Sequence, residues 1–261
     1  MSIREWSLRS IRKKLKLFDT TIYNYFRQKD QIAVLIDPEK FSGEEALINL
    51  IEKSEFAGVD YFFIGGSTVT RDEFEHCINI IAKTAKIPVV IFPGSSHQIS
   101  EKADALLYLS LISGRNPDFL IGHHVASAHE VFDMNIEVIP TAYILIDGGT
   151  TTSVSYVSQT TPIPPSKLSI INNTAKAGIL QGKKLLYLDA GSGAKQYVPL
   201  DVIKEISELR VPVIIGGGVR DIETIKNMHE AGANVVVIGN KIEEEIEFLL
   251  DIHSYTKTKA L

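Results

Sequence analysis

The sequence has little cysteine, no long apolar run and no excess of basic charge. A single cysteine, Cys77, stands among 261 residues, so an intrachain disulfide framework is excluded and a reducing compartment fits. No uninterrupted apolar stretch approaches the roughly 18–20 residues that cross a bilayer. The net charge of −5 provides no global basic field to hold nucleic acid. These absences point to a soluble, cytoplasmic chain. Hydrophobic residues make up 44% of it and charged residues 23%, which is ordinary for a globular protein and supplies a large core. The length admits two small domains or one α/β barrel, which runs to about 250 residues as a single unit.

The first thirty residues differ from the rest. Leu8, Ile11, Leu15, Phe18, Ile22 and Phe26 recur at helical spacing, while Arg4, Arg9, Arg12, Lys13, Lys14 and Lys16 crowd the same segment. No continuous apolar stretch follows these charges, so a signal peptide is not expected. An amphipathic helix packed on the domain is the plain reading, with a basic face that could also touch a membrane surface. From residue 32 onward short apolar runs alternate with helical stretches. Strands are expected at Ile32–Ile36, Asp60–Ile64, Pro88–Phe92, Ala105–Leu111, Ile136–Ile146, Lys184–Leu188, Val211–Ile215 and Asn234–Ile238. Helices are expected near 43–56, 71–85, 117–132, 167–181, 199–209, 221–231 and 241–253. Eight such strands predict a (β/α)8 barrel over residues 31–261, preceded by a helical extension over 1–30.

Two irregularities stand out. Only the segment from Gly94 to Asp104 separates the third strand from the fourth, and a parallel crossover needs about a dozen residues or more. The helix after the third strand is therefore expected to be missing or vestigial, which would open an apolar groove in the barrel wall. A long polar loop, Asp147 to Ser166 with Tyr156 inside it, follows the fifth strand, and long ordered loops in compact domains are usually functional.

Active sites of such barrels lie at the C-terminal ends of the strands. Strand 7 ends in Gly216-Gly217-Gly218 and strand 8 in Gly239-Asn240, the layout of a phosphate site in which glycines let backbone N–H groups approach the ligand. Asp37 follows strand 1. Beside a phosphate-rich substrate it suits an Mg2+ ligand, with Ser67 or Thr68 supplying another oxygen; as Asp-Pro it equally suits a turn cap. Asp189, after strand 6, could bind or deprotonate a hydroxyl, or serve loop N–H groups. Adjacent His123 and His124 diverge on a helix and cannot chelate one metal together. His76, His129 and His229 are expected at the surface, Cys77 as an inert thiol, and Arg115 as a phosphate contact or a surface residue.

Leu35–Lys40, Phe63–Ser67, Pro88–Gly94, Ser113–Pro117, Tyr187–Ala194, Ile215–Arg220 and Gly239-Asn240 together resemble geranylgeranylglyceryl phosphate synthases over residues 30 to 250, most closely the branch found in archaea and some bacteria. The resemblance implies a modified barrel lacking a regular third helix. It implies an Mg2+-dependent prenyltransferase that joins sn-glycerol 1-phosphate to geranylgeranyl diphosphate through an ether bond, releases diphosphate, and works as a homo-oligomer. By match, Asp37 and Ser67 would ligate Mg2+. Tyr187, Leu188, Asp189, Ala190, Gly191, Ser192 and Gly193, with Gly217, Gly218, Gly239 and Asn240, would hold glycerol phosphate, and Asp189 would orient its hydroxyl and take the proton. Two positions depart from the pattern. Asp189 stands where the family carries Glu, and Leu35 where another branch carries Lys, so that Lys40 or Arg115 would have to replace a basic contact. The competing reading is a phosphosugar isomerase or epimerase on the same barrel, motivated by the shared glycine turns.

Overall fold

A computed structural model describes residues 21–41 and 43–259. The positions of the amphipathic stripe before Ile22, and the basic cluster at 4–16, lie outside the described residues. Among the described residues, strands β1 (Gln31–Ile36), β2 (Tyr61–Ile64), β3 (Val89–Ile91), β4 (Ala105–Leu111), β5 (Glu137–Leu145), β6 (Leu185–Asp189), β7 (Val213–Gly216) and β8 (Val235–Ile238) close into a parallel barrel in chain order. The ring seals where Val34 of β1 pairs with Ile238 of β8. The α-helices among the described residues are α1 (Ile22–Phe26), α2 (Glu44–Phe56), α3 (Arg71–Thr84), α4 (His123–Asp133), α5 (Ser153–Val157), α6 (Leu168–Leu180), α7 (Leu200–Ser207), α8 (Ile222–Glu230), α9 (Asn240–Glu244) and α10 (Phe248–Lys259).

The apolar runs fold this way because each strand is buried on both faces. With a side-chain period of two, Ala33, Phe63, Val90, Leu107, Leu145, Tyr187, Ile214 and Val237 fill the lumen. Their neighbours Val34, Ile64, Ile91, Ile144, Leu188, Ile215 and Ile238 face outward into the layer beneath the helices. Helix α1 closes the N-terminal end. Its Phe26 is fully buried in the lumen cluster and meets Tyr61 edge-to-face at 5.0 Å. The Ile22 and Tyr23 amides donate to the Glu137 carboxylate at 2.6 and 3.2 Å, so a carboxylate neutralises the helix start. With that end plugged, a ligand reaches the lumen from the C-terminal face.

Between β3 and β4 the chain makes only turns and bends, so the helix expected to be missing there is absent. The 147–166 segment, expected as loop, contains the short α5, capped by Thr152, and returns to the sheet through a bridge between Ile146 and Ile163. The single helix expected over 241–253 is broken between α9 and α10. A continuous helix would stack Glu243 against Glu247 at i,i+4, where like charges repel; the break also lets Ile242 and Phe248 both face the core. His229, expected at the surface, is buried beneath α10, where its Nε2 contacts the Gln31 carbonyl at 3.0 Å and its Nδ1 contacts the Tyr255 hydroxyl at 3.1 Å. Its ring lies on the apolar face of α8, so helical periodicity rather than polarity decided its place.

Candidate active site

A cavity of about 460 Å3 opens at the C-terminal ends of the strands. It is continuous from the β6–β8 turns, across the mouth of the lumen, and over the rim onto the outer face of β4, where the helix between β3 and β4 is absent. Asp189, Ser192, Gly193, Gly217, Gly218 and Asn240 line one end; Ile99, Leu106, Tyr108 and Phe119 line the other. Leu106 and Tyr108 face outward on β4, where a helix would otherwise cover them. The π-helical turn Asp118–Gly122 ahead of α4 aims Phe119 and His123 into this groove. Ser153, Val154 and Val157 of α5 form part of the rim.

The polar end is built from turns that require glycine. Gly191, Gly193, Gly217 and Gly218 all have positive φ, between 74° and 89°. Gly216 remains in β7, so the second and third glycines of the triplet are the pair that turns into the cavity. A Cβ on Gly217 would lie 2.6 Å from the Gly191 nitrogen and one on Gly218 would lie 2.7 Å from the Gln196 carbonyl oxygen. Asn240 Oδ1 accepts from the Ser192 hydroxyl at 3.0 Å and the Gly193 amide at 3.1 Å, tying the β6 and β8 loops together. This leaves the Asn240 amide nitrogen as its donor end. A Cβ on Gly239 would lie 3.6 Å from the Leu35 side chain, an ordinary contact, so an aliphatic side chain stands next to the β8 turn. Of the expected run from Tyr187 to Gly193, Tyr187 and Asp189 point inward and Ser192 and Gly193 line the cavity. Leu188 and Ala190 point outward into the helix layer. The strand period imposes this alternation.

Asp189 sits at the boundary between the polar turns and an aromatic floor. Its Oδ1 accepts the Gly191 amide at 2.8 Å, and its Oδ2 accepts the Tyr143 hydroxyl at 2.5 Å. Burial pushes its carboxyl above the usual carboxylate range, and these two donors offset part of that rise. Phe92 stacks on Tyr187 at 4.7 Å, and Tyr143 meets both rings edge-on. Burial, with the Asp189 charge alongside, holds both tyrosine hydroxyls protonated. Tyr143 was not singled out from sequence. It lies within a strand, and only the inward register and its hydrogen bond to Asp189 reveal it.

On the opposite side of the mouth, Asp37 does cap a turn: its Oδ1 accepts the Glu39 amide at 3.2 Å and starts the 3-10 turn Pro38–Lys40. Oδ2 has no part in that cap. Asp37, Ser67 and Thr68 line the cavity together with Glu39, Lys40 and Glu243. Burial raises the Asp37 carboxyl, and the negative charges of Glu39 and Glu73 add to the rise while Lys40 opposes it. Burial also raises Glu243, with Lys40 again opposing and the Asp37 charge adding. A cation here would relieve this repulsion. Among the described residues no group of three or more His, Cys, Asp or Glu is placed to hold a metal ion. One or two protein oxygens suit Mg2+ when phosphate oxygens and waters complete the shell, so the donor set fits that ion.

Arg115 turns back to donate to the Gly114 carbonyl at 2.7 Å and does not line the cavity. Among the described residues, Lys40, Arg220 and Lys241 are the lysines and arginines that do. His124 is largely buried, with Nε2 3.2 Å from the Ser110 hydroxyl, and both it and His123 line the groove. Cys77 is buried and its thiol is pushed up to about 12, an inert group. Tyr156 is exposed and outside the cavity.

The same barrel recurs in known proteins. The PcrB family model matches residues 24–257. Geranylgeranylglyceryl phosphate synthase of Chitinophaga pinensis is 46% identical over 237 residues, covering 88% of this chain and 94% of that protein. The chain belongs to the geranylgeranylglyceryl phosphate synthase family. The geranylgeranylglyceryl phosphate synthase of Thermococcus gammatolerans is 40% identical over 213 residues, covering 81% of this chain and 83% of that protein. The crystal structure of (S)-3-O-geranylgeranylglyceryl phosphate synthase from Thermoplasma acidophilum, in complex with substrate sn-glycerol-1-phosphate, superposes with a TM-score of 0.85 at 32% identity. It covers 92% of this chain and 98% of that one. Among the described residues, no helix of this family member is long and apolar enough to cross a membrane.

Proposed function

We propose that this chain joins sn-glycerol 1-phosphate to a long-chain prenyl diphosphate, geranylgeranyl diphosphate in the family's own reaction, forming an ether and releasing diphosphate. The continuity of the cavity carries this reading: one end is lined by glycine turns suited to a phosphate, the other by an apolar groove suited to a hydrocarbon tail. The Thermoplasma relative with bound sn-glycerol-1-phosphate supports the polar half. An isomerase or epimerase of sugar phosphates would leave the apolar end without a ligand.

The residues divide the work by position. The Gly217-Gly218 turn and the Asn240 amide nitrogen, with Asn240 held in place by Ser192 and Gly193, receive the glycerol phosphate through N–H donors. Asp189 accepts a hydrogen bond from the glycerol hydroxyl that becomes the ether oxygen and takes its proton as the new C–O bond forms. Tyr143 and the Gly191 amide hold the Asp189 carboxylate in place for this. The allylic C1–O bond breaks as diphosphate leaves, and the positive charge developing at C1 faces the Phe92, Tyr143 and Tyr187 rings, whose faces attract cations. Asp37, with Ser67 beside it, would hold Mg2+, which neutralises charge on the diphosphate leaving group. Lys40 adds positive charge at the same end. Burial of the tail in the groove contributes about 0.8 kcal/mol per CH2 in gross terms. Holding both substrates in line can supply about 7–11 kcal/mol in ideal cases.

Incubation with labelled sn-glycerol 1-phosphate, Mg2+ and a series of prenyl diphosphates tests the reading. Mass spectrometry should show a prenylglyceryl phosphate ether, and the series identifies the preferred length. Absence of ether product with every prenyl diphosphate would overturn it.

A further inference from the structure

The segment that replaces a helix between β3 and β4 is more than a gap. Gln98 lies within it, fully buried, with its amide saturated. Its Nε2 donates to the Gly66 carbonyl at 2.9 Å and the Val69 carbonyl at 3.3 Å. Its Oε1 accepts the Gly94 amide at 2.9 Å and, more weakly, the Gly66 amide at 3.5 Å. His97 Nε2 lies 2.9 Å from the same Val69 carbonyl, which can only accept, so the ring carries its proton there. In the neutral ring Nδ1 then accepts from the Ser95 hydroxyl at 2.6 Å. Two consecutive side chains therefore grip both ends of the Gly66–Val69 turn.

That turn leaves little play. A Cβ on Gly94 would lie 2.1 Å from the Gly66 carbonyl oxygen and 2.9 Å from the Ser67 Cα, and a Cβ on Gly66 would lie 2.8 Å from Asp37 Oδ1. The position of Gly66 thus fixes Ser67 on one side and bears on Asp37 on the other. An unhelical segment with neighbouring polar residues could equally have been a loose connection; saturating a buried amide with backbone partners from two turns makes it a strut.

We propose that Gln98, assisted by His97, is a positioning residue that sets the Gly66–Ser67 turn to receive the diphosphate of the prenyl substrate. This rests on the prenyltransferase reading for the identity of the anion. Binding is read by titration calorimetry on the full chain, using inorganic diphosphate with Mg2+ on protein already saturated with sn-glycerol 1-phosphate, and sn-glycerol 1-phosphate separately. In Gln98→Met the diphosphate should bind about tenfold more weakly, the scale seen when a supporting hydrogen bond behind an ion site is lost. Affinity for sn-glycerol 1-phosphate, across the mouth, should stay within about twofold. Where Gln98→Met does not fold, His97→Phe carries the test, with a smaller loss confined to diphosphate. Equal weakening of both ligands, no weakening of either, or a wild-type protein that binds no diphosphate would each overturn the proposal. A wild-type protein that binds both ligands yet forms no ether would overturn the reaction reading alone, and the selectivity of Gln98→Met would still decide the positioning role.

Discussion

Glycines gather on opposite sides of the barrel mouth and meet different demands there. On the β6–β8 side, Gly193 has φ of 74° and nothing within 4 Å of where a Cβ would be. On the β2–β3 side, Gly94 has no unusual φ, yet a Cβ there would lie 2.1 Å from a carbonyl oxygen. The first needs glycine for its dihedral, the second for its missing side chain, and Gly217 needs it for both. One side is a cradle whose turns line the cavity; the other is a packed joint, gripped by Gln98. A glycine-rich stretch therefore identifies a phosphate site only when its turns face a cavity.

The strongest test of the difference removes the charge at the joint. If Asp37 holds Mg2+ as proposed, Asp37→Ala should lower turnover by about 1000-fold or more, since a metal ligand is worth several kcal/mol at the transition state. The fold should persist, because only the cap on Glu39 is lost; turnover together with a thermal melt checks both. Gly94→Ala should instead lose stability, by about 3 kcal/mol, and weaken the prenyl diphosphate more than sn-glycerol 1-phosphate; a melt accompanied by two KM measurements shows it. Gly217→Ala should act on the cradle, raising KM for sn-glycerol 1-phosphate at least about tenfold while KM for the prenyl diphosphate changes little. Tyr143→Phe is subtler. The tyrosine hydroxyl favours ionised Asp189, so removing it raises that carboxyl further, and a base that must be ionised then fails at higher pH. The acid limb of the pH–rate profile should move upward in pH, with a fall at neutral pH below about tenfold. Gly193→Ala should be mildest, near 1 kcal/mol for its dihedral alone, and Gly193→Asn should recover part of that in a melt.

Strands, barrel closure and the absent helix were legible because each depends on local pattern: apolar runs of strand length, and too few residues between Gly94 and Asp104 for a crossover. Asp37, Ser67, Asp189 and the glycine turns were legible because they sit just after strands, where a barrel puts its mouth. Tyr143 and Gln98 were not. One is an aromatic residue in a mostly apolar strand, the other a polar residue in a turn-rich segment whose nearby contact with Gly94 leaves no mark in sequence; their importance comes from partners 46 and 32 positions away. His229 and the break after α9 were missed because packing against α10 overrode a polar residue's surface preference and a helical period.

Strand β4 separates two environments. Leu107 and Leu111 look into the lumen, while Leu106 and Tyr108 look out into the groove. A barrel wall normally divides core from core. Here it is a phase boundary, with an oily compartment outside and a charged one at the mouth, and Phe92 and Pro93 mark the line where they meet. Joining a hydrocarbon tail to a phosphate head is chemistry at an oil–water interface, and leaving out one helix lets a single polypeptide carry such an interface in its own wall.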